Sequence, residues 1–315
     1  MVISGYGYDQ VNPIQQTEIL DPFNNLAECN NNTIKGFLKY TPFVTNGKYS
    51  CASDGCTHLV QVGPRTWIWN ETNIKIPTHF NISIGSASVL VGSGKWWWIT
   101  NGWMEWTPWN KWKPNPKTIL LHENETQFTD GPDLPAVMYD HCMATINETT
   151  VLIAGNSFGD GCKDSFFVDV SSFPFKFKAK KTLNICRSGA ACGVLVTYKG
   201  MKNVPIIAGG DFAKEKITTE VFDIQKQEWI MGPNLIRPYS DGGYITKGDK
   251  FILLGGRFYS NKYKSMQVYN NVRENFELLE GELKGTIGDG NNAERAGFSA
   301  AIVDNNHILC TQTCC

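Results

Sequence analysis

Ten cysteines are the most chemically informative residues of this chain, and their number is even. No two of them form a C-x-x-C pair that a second pair matches at zinc-finger spacing, so the pattern does not indicate a zinc site. An even set without metal spacing predicts disulfides, which form in oxidising compartments. The cysteines are Cys29, Cys51, Cys56, Cys142, Cys162, Cys186, Cys192, Cys310, Cys314 and Cys315.

Distance along the chain indicates which cysteines pair. The pairs expected from proximity are Cys51 with Cys56, Cys186 with Cys192, and Cys142 with Cys162. The first two would close local loops, and the third would tie the start of a strand to a following loop. Each bridge would stabilise the fold by about 2 to 4 kcal/mol.

Five N-glycosylation sequons, all in the first half of the chain, point to the same compartment. The acceptor residues are Asn31, Asn70, Asn81, Asn124 and Asn147. Sequons and cysteines together predict an extracellular, secreted glycoprotein. The segment from Met1 to Tyr8 has neither a basic stretch nor a long apolar run, so no signal peptide is visible in this chain.

A tryptophan-rich segment is the most unusual stretch, because seven of the ten tryptophans lie between Trp96 and Trp112. Four of them are spaced by three residues, which in an extended conformation with three residues per turn would stack the rings along one edge. These are Trp103, Trp106, Trp109 and Trp112. Lys111 and Lys113 could lie over the rings. The segment predicts an aromatic platform for a protein or glycan partner, and the alternative is a hydrophobic loop that packs on itself.

Catalytic and metal-binding patterns are weak by comparison. The five histidines, none spaced as i, i+4 pairs, are His58, His79, His122, His141 and His307. Asp160, Asp211 and Asp241 could bind Ca²⁺, but no D-x-D-x-D pattern supports this. The stretch from Ser53 to Thr57 does not keep the spacing of a sialidase box. We therefore predict no catalytic residue, no cofactor and no metal, and we assign His141 a structural role.

Charge and hydropathy exclude two classes of partner. The 29 basic and 30 acidic residues give a net charge of -1, without blocks of like charge. A nucleic-acid surface or a polybasic membrane anchor therefore has no support. The longest apolar stretches, such as 206–208 and 251–254, are too short to span a bilayer.

Short apolar strands that end in a doublet of small residues recur along the chain. These strands must position the candidate residues. The doublets are Asn46-Gly47, Asn101-Gly102, Gly155-Asn156, Gly209-Gly210 and Gly255-Gly256, with second positions 55, 54, 54 and 46 residues apart. A period near 50 residues is typical of four-stranded units. Small residues at these places indicate sharp turns near a crowded axis.

A second repeat pairs an apolar or aromatic strand residue with an aromatic residue seven positions later. The pairs are Leu121 and Phe128, Phe222 and Trp229, and Tyr269 and Phe276. Gly-Pro follows three residues after two of the later aromatics, at Gly131 and Gly232. Large flat side chains fill the widening gap between radially arranged sheets, so we expect these aromatics to pack between neighbouring sheets.

Together, the doublets, the aromatic pairs and an arginine before the next strand resemble the kelch repeat. The arginines that match are Arg187, Arg237 and Arg295. The resemblance covers nearly all of the chain. Among kelch proteins, the chain looks most like the extracellular, cysteine-containing ones of invertebrates. It implies an all-β kelch-type β-propeller with six four-stranded blades, or seven as the alternative.

The resemblance also implies how the ring closes, namely with strands from both chain ends in a single domain of residues 1–315. The N-terminal strand is expected to begin at Val2, and the C-terminal strands at 297–304 and 307–310. Cys310, Cys314 and Cys315 lie at this seam and could fasten it.

For function, the resemblance implies a non-enzymatic binding module. The segment from Trp103 to Pro116 would be an inserted loop on the partner-binding face, and the three arginines would form a ring for a carboxylate or an acidic peptide. The arginines could alternatively bond backbone carbonyls of a neighbouring blade. The rival functions are a propeller oxidase or hydrolase, of the galactose-oxidase type for instance, and an intracellular kelch adaptor.

Overall fold

The computed structural model describes residues 17–21, 26–30, 44–52, 55–63, 66–80, 82, 85–102, 115–156, 159–211, 216–258, 261–282, 300–302 and 308–311. The described residues form strands and one short 3-10 helix, Gly159–Lys163. The strands are β1 (Thr17–Asp21), β2 (Leu26–Asn30), β3 (Val44–Thr45), β4 (Tyr49–Ala52), β5 (Gly55–Gly63), β6 (Thr66–Glu71), β7 (Ala87–Val91), β8 (Trp96–Thr100), β9 (Thr118–His122), β10 (Thr129–Asp130), β11 (Cys142–Asn147), β12 (Thr150–Ala154), β13 (Asp164–Asp169), β14 (Lys176–Thr182), β15 (Ala191–Tyr198), β16 (Met201–Ala208), β17 (Thr219–Asp223), β18 (Glu228–Met231), β19 (Gly243–Lys247), β20 (Lys250–Leu254), β21 (Arg257–Phe258), β22 (Asn261–Lys262), β23 (Ser265–Asn270), β24 (Asn275–Glu282), β25 (Ala301–Ile302) and β26 (Ile308–Thr311).

Five blades are each built from four antiparallel strands in chain order, and in blade 5 the separate pair β21 and β22 lies between the second and third strands. The five are blade 1 (β3–β6), blade 2 (β7–β10), blade 3 (β11–β14), blade 4 (β15–β18) and blade 5 (β19, β20, β23 and β24). The first strand of each blade contacts the first strand of the next, from β3 through to β19. The first strands therefore line a common axis, and the fold is an all-β propeller of four-stranded blades.

A further four-stranded sheet, here called the closing sheet, has the order β2-β1-β26-β25 and draws strands from both ends of the described chain. Thr17 in β1 lies opposite Thr311 in β26. The expected six or seven blades are thus corrected to five blades of strands in chain order. Of the six four-stranded sheets among the described residues, five are blades built from one stretch of chain, and the sixth is the closing sheet, which combines strands from both ends of the described chain.

The closing sheet differs in detail from the expected terminal strands. Where strands were expected at 297–304 and 307–310, β25 covers only Ala301–Ile302 and β26 covers Ile308–Thr311. The strand expected at Val2 lies outside the described residues, as do Cys314 and Cys315.

The hydrophobic core lies between the blades rather than within them. Trp97 and Ile99 of β8 pack against blade 1, whereas Trp98 between them packs against blade 3. The same alternation occurs in β12, where Ile153 packs towards blade 2 and Leu152 towards blade 4. A strand that is buried on both faces needs apolar residues at every position, which explains the continuous apolar runs of the sequence.

The aromatic residues seven positions apart face each other across a hairpin. Phe222 lies directly opposite Trp229, and their ring centroids are 5.3 Å apart. The Trp229 indole reaches blade 3, where it stacks on Phe167 at 6.3 Å and donates a 2.9 Å hydrogen bond to Ser165 Oγ. The expectation that these aromatics pack between neighbouring sheets is therefore confirmed for this pair.

Close approach of the backbone explains the glycine doublets that follow second strands. A Cβ on Gly209, which has a φ of +69°, would collide with the carbonyl oxygen of Tyr239 at the entrance to blade 5. Gly210 N–H donates to that same carbonyl at 2.8 Å. The doublets Gly155-Asn156 and Gly209-Gly210 thus join the end of their second strand to the linker that enters the next blade.

One of the expected doublets belongs to a different structural class. Asn46-Gly47 lies in the turn between β3 and β4, not after a second strand. Asn46 Oδ1 accepts hydrogen bonds from the backbone N–H groups of Lys48 and Tyr49, and Gly47 has a φ of +90°. This pair is therefore a hairpin turn with the same residue types as a doublet.

Side chains on the first strands connect the blades near the axis. Ser88 Oγ donates to Thr45 O at 3.3 Å, and Thr145 Oγ1 donates to Leu90 O at 2.6 Å. Tyr244 of β19 reaches past β15 to β11 in blade 3, where its hydroxyl oxygen accepts a 3.0 Å hydrogen bond from the Met143 N–H. Tyr244 therefore links two blades that are not neighbours.

Three disulfides are present among the described residues, and one expected pairing is confirmed. They are Cys51–Cys56, Cys142–Cys192 and Cys162–Cys186. The expected pairs Cys142–Cys162 and Cys186–Cys192 are wrong, because the first strands of blades 3 and 4 lie side by side and bring Cys142 to Cys192. Cys29 and Cys310 lie opposite the same residue, Glu18 of β1, in the closing sheet.

Candidate functional site

The two faces of the propeller carry different connections. Since the strands alternate in direction, the loops from second to third strands share one face with the linkers between blades, and we call this the loop face. The opposite face, the turn face, carries the turns from first to second and from third to fourth strands. Turns of two residues occur there at 148–149, 199–200 and 248–249, whereas the connections that start and end on the loop face span more residues, 101–117, 209–218 and 255–264.

A chain of backbone hydrogen bonds runs around the mouth of the channel on the loop face. Asp140 N–H donates to Gly85 O at 3.2 Å, Gly189 N–H donates to Asp140 O at 2.8 Å, and Asp241 N–H donates to Gly189 O at 2.7 Å. Each of these four residues stands two positions before a first strand and has a positive φ. The linkers of blades 2 to 5 thus form a continuous rim.

Four charged side chains at this rim form a cluster that we call the mouth cluster: Asp211, Lys216, Asp241 and Arg257. The Arg257 guanidinium bridges the linker into blade 5 and the loop after β16 of blade 4, with Nε 2.6 Å from Asp241 Oδ2 and Nη2 3.0 Å from Asp211 Oδ2. Lys216 Nζ pairs with the other oxygen of Asp211. The cluster contains two cations and two anions, so its charges are matched.

The electrostatics of the mouth cluster keep Arg257 charged. Burial opposes the charge on Arg257, but Asp241, Asp211 and Asp140 outweigh it and raise the pKa of the guanidinium. Burial raises the pKa of the Asp241 carboxyl, an effect that Arg257 partly offsets. The Arg257 side chain is 39% exposed, and its Nη1 group donates to no described residue. It can therefore donate hydrogen bonds to an incoming carboxylate.

The structure does not support the expected ring of arginines at Arg187. Arg187 is fully buried, with Nε 3.1 Å from Glu220 Oε1 and Nη1 2.6 Å from Gly209 O. Its surroundings correspond to the alternative in which the arginine bonds backbone carbonyls. The prediction that Arg187 binds a partner is therefore wrong, because its guanidinium holds the linker and the third strand of its own blade together.

Arg237 does not occupy the position of blade 5 that corresponds to Arg187. Arg237 is exposed but stands four residues before the rim residue Asp241, whereas Arg187 stands two residues before the rim residue Gly189. The residue of blade 5 that corresponds to Arg187 is Tyr239, which is also fully buried. Arg295 lies outside the described residues.

Arg257 was missed at the sequence level, although a signal for it exists. It follows directly after the doublet Gly255-Gly256, and Asp211 follows directly after Gly209-Gly210. In blades 4 and 5 the position after the doublet therefore places a side chain at the channel mouth. Trp103 occupies this position in blade 2.

The tryptophan platform lies outside the described residues, since Trp103, Trp106, Trp109 and Trp112 fall in the gap at 103–114. Its flanks are described. Asn101-Gly102 follows β8 and Asn115-Pro116 precedes β9, so the segment connects the second and third strands of blade 2. This places the attachment points of the segment on the loop face.

Three of the five sequon asparagines are exposed in the structure: Asn70, Asn124 and Asn147. Asn124 lies in the turn that follows β9, and Asn147 lies at the end of β11, both on the turn face. Asn31 and Asn81 lie outside the described residues. Exposure at the three positions is what an attached glycan requires.

His141 is buried beside the rim, and its Nε2 lies 2.7 Å from Thr100 Oγ1. Burial lowers the pKa of His141 to about 4, so the ring is neutral at physiological pH. Among the residues that the structure describes, no three His, Cys, Asp or Glu side chains are grouped as metal ligands would be. Asp211 and Asp241, the two Ca²⁺ candidates whose side chains are described, both pair with Arg257.

Within the described part of the chain, no helix has the length and apolar character needed to cross a membrane. The three disulfides are compatible with an extracellular protein. Comparison with known proteins gives no further identification, because the sequence matches no protein-family model and no curated protein at a significant level.

Proposed function

We propose that this protein is a secreted, non-enzymatic kelch-type propeller that binds a protein or glycan partner through its loop face. The observation that carries the proposal is the half-exposed guanidinium of Arg257, which two carboxylates hold at the channel mouth with Nη1 left for a partner. A pre-oriented, charged donor beside long loops is typical of a recognition surface.

The proposed partner presents a carboxylate to Arg257 and an apolar or sugar surface to the tryptophans. Trp103 follows the doublet of blade 2 as Arg257 follows that of blade 5, which supports a role for both on one surface. Tryptophan and arginine are enriched among residues that dominate binding energy.

Two of the three exposed sequons support the choice of face, whereas Asn70 lies one residue before the end of β6 that leads to the loop face. Asn124 and Asn147 are exposed on the turn face, so glycans there would leave the loop face accessible to a partner. The proposal also assigns the closing sheet a role as the unit that completes the ring. In its support, β25 contacts β19 of blade 5, and the carbonyl oxygen of Ile302 lies against Gly47 of blade 1.

The test uses the secreted full-length chain and a partner identified by proximity labelling in the medium of expressing cells. Arg257→Lys keeps the charge but loses the planar fork, so we expect affinity to fall about tenfold. The matched control is Arg273→Lys, which makes the same change at an exposed arginine of the turn face.

A second pair of variants tests the loop. Trp106→Ala with Trp109→Ala should reduce binding, whereas Phe173→Ala with Ile224→Ala, two exposed residues of the turn face, should not. Equal affinity of the loop variant and the wild type would contradict the loop face as the binding surface. Stoichiometric copper or calcium in the purified protein would instead favour a propeller enzyme.

A further inference from the structure

Each blade ends in an outer strand, and the outer strands of the five blades are β6, β10, β14, β18 and β24. In the described part of the chain, each of them pairs only with the third strand of its own blade. The second edge of such a strand offers backbone N–H and C=O groups to any further strand, unless the protein protects it. The protection of each edge therefore decides where another chain could add to a blade.

Four of the outer strands have features that discourage such pairing. β10 has only two residues, and β18 has four. β14 carries four lysines, and a bulge interrupts its register with β13. β24 contains three glutamates, and a bulge interrupts its register with β23. Short length, bulges and charged side chains are the usual means by which proteins protect an edge.

The outer strand of blade 1 has less protection. In β6, Trp67 to Glu71 lie in unbroken register opposite 57–61 of β5, and the bulge of this pair lies beside Thr66, next to the turn. No other outer strand of the five blades has so long an unbroken register. The sequence Thr-Trp-Ile-Trp-Asn-Glu has no lysine, proline or glycine, and its aromatic and β-branched residues favour strands.

The free edge of β6 is suited to the same edge of a second molecule. Every second residue of an edge strand turns its N–H and C=O away from its own sheet, so residues an even number of positions apart can lie opposite each other. The two antiparallel registers that pair most of the strand are centred on Ile68 or on Trp69. In neither register does Glu71, the only charged residue of β6, lie opposite Glu71 of the second copy, so no like charges meet.

The sequon at Asn70 lies on this same strand. Asn70 is exposed, and it is the exposed sequon asparagine that lies within an outer strand, whereas Asn124 and Asn147 lie on the turn face. A glycan is bulky and strongly hydrated. On Asn70 it would occupy the space that a second copy needs in order to approach β6.

We propose that the outer edge of blade 1 is a self-association surface. β6 of one molecule pairs antiparallel with β6 of a second copy, and the two four-stranded blades become one eight-stranded sheet across a two-fold axis. A glycan on Asn70 blocks this pairing and keeps the protein monomeric. The role of the glycan rests on the proposed secretion, whereas the pairing of the strands does not, and neither involves the loop face.

The test compares two glycosylation variants of the full-length chain, produced in a secretory host. Asn70→Gln removes the sequon from β6, and Asn124→Gln removes an exposed sequon from the turn after β9. Analytical ultracentrifugation over a concentration series should give Asn70→Gln a dimer dissociation constant at least about tenfold lower than that of the wild type. Asn124→Gln should behave as the wild type does. Peptide mapping of the wild type measures the occupancy of Asn70.

A new charge on the strand locates the contact. Added to Asn70→Gln, Ile68→Lys places a lysine on the edge and should restore the monomer. Met231→Lys in the same background, at a 45% exposed position of β18, adds the same charge to another outer strand and should leave the dimer intact. Melting temperatures show whether either variant is unfolded. Hydrogen exchange of Asn70→Gln needs no further substitution, since the amides of 66–71 should gain protection as the protein concentration rises.

The proposal is wrong if Asn70→Gln stays monomeric at every concentration, or if its dimer forms without added protection of 66–71. Equal dimerisation of Asn70→Gln and Asn124→Gln would also overturn it, because the effect would then not depend on this edge. A wild type whose Asn70 carries no glycan should itself dimerise through β6, and would overturn the proposal by remaining monomeric.

Discussion

Glu220 and Gln267 perform the same structural task in neighbouring blades. Glu220 accepts hydrogen bonds from the N–H groups of Asn184 and Ile185, in the linker that enters blade 4. Gln267 accepts bonds from the N–H groups at positions 236 and 237, in the linker that enters blade 5. Only Glu220 is charged, and only it has a buried arginine beside it. Arg187 therefore compensates the buried negative charge of Glu220. Blade 5 needs no such cation, because Gln267 is neutral.

Removal of Arg187 should destabilise the fold strongly. Arg187→Met leaves the Glu220 carboxylate buried without its cation, so we expect the free energy of unfolding to fall by about 3 to 5 kcal/mol. Arg237→Met, at an exposed arginine of the next linker, should change it by less than about 0.5 kcal/mol. Urea unfolding curves of the two variants measure the difference. Similar small losses for both would contradict the structural role of Arg187.

The buried imidazole of His141 predicts a pH dependence of stability. Its pKa is about 4 in the fold, against about 6.5 in an unfolded chain. Between these pH values the unfolded chain binds a proton at His141 that the folded protein does not bind. The contribution of neutral His141 to the free energy of unfolding is therefore fully present above pH 6.5 and is lost as the pH falls towards 4. We expect a loss of about 3 kcal/mol from this group.

The variant His141→Gln isolates that contribution. Carboxylates also titrate as the pH falls, so the measured quantity is the difference between wild type and variant in urea unfolding at each pH. The wild type should lose more stability than the variant between pH 6.5 and 4. Parallel pH profiles would show that His141 does not titrate between the two states.

The sequence identified important polar residues better than it predicted what surrounds their side chains. The structural role given to His141 agrees with its burial and its bond to Thr100. Arg187 was misplaced, because a sequence pattern does not distinguish an arginine that lines a mouth from one that is enclosed by its own blade. Asp211 and Arg257 meet only through the packing of two blades, and neither shares a local motif with the other.

At the scale of the element, a doublet glycine and a turn glycine show two separate requirements for glycine. Gly209 has a positive φ and also lies against the Tyr239 carbonyl, whereas Gly248 has a φ of +58° and open space, with no atom within 4 Å of the place a Cβ would take. The two positions therefore share the conformational requirement and differ in the steric one.

Alanine at these two positions should separate the requirements. Gly248→Ala should cost about 1 kcal/mol, the usual penalty for a positive φ with a side chain. Gly209→Ala should cost clearly more, about 3 kcal/mol or above, because the linker to blade 5 must move. The measurement is the midpoint of thermal or urea unfolding for each variant. Equal losses would mean that the close contact relaxes freely.

Element positions were predictable where the spacing encodes a hairpin. A spacing of seven residues places Phe222 opposite Trp229 across a four-residue turn, so register and pairing follow from the sequence. The doublet pattern was less specific, because Asn46-Gly47 is equally suited to a hairpin turn. Local residue types describe the backbone conformation and leave open which pair of strands the turn connects.

At the scale of the whole molecule, the blades are held together by covalent as well as apolar contacts. Cys142 and Cys192 are 50 residues apart in sequence and connect the first strands of blades 3 and 4. Pairing could not be deduced from sequence distance, because the propeller brings corresponding positions of successive repeats together. Cys51–Cys56 was predictable, since it closes a single hairpin.

Loss of the bridge between blades should cost more than loss of the hairpin bridge. The chain-entropy relation gives about 4 kcal/mol for Cys142–Cys192 and about 2 kcal/mol for Cys51–Cys56. Double alanine variants of each pair, unfolded in urea under non-reducing conditions, measure the two losses. A larger loss for the hairpin pair would contradict this order. Non-reducing peptide mapping of the wild type verifies the pairings independently.

The bond from Tyr244 to Met143 has a consequence for how the chain is made. Both residues leave the ribosome before β25 and β26 have been synthesised, and Met143 lies in a blade that has then already emerged. Blades 3 to 5 can thus be linked by this hydroxyl before β25 and β26 are available to the closing sheet.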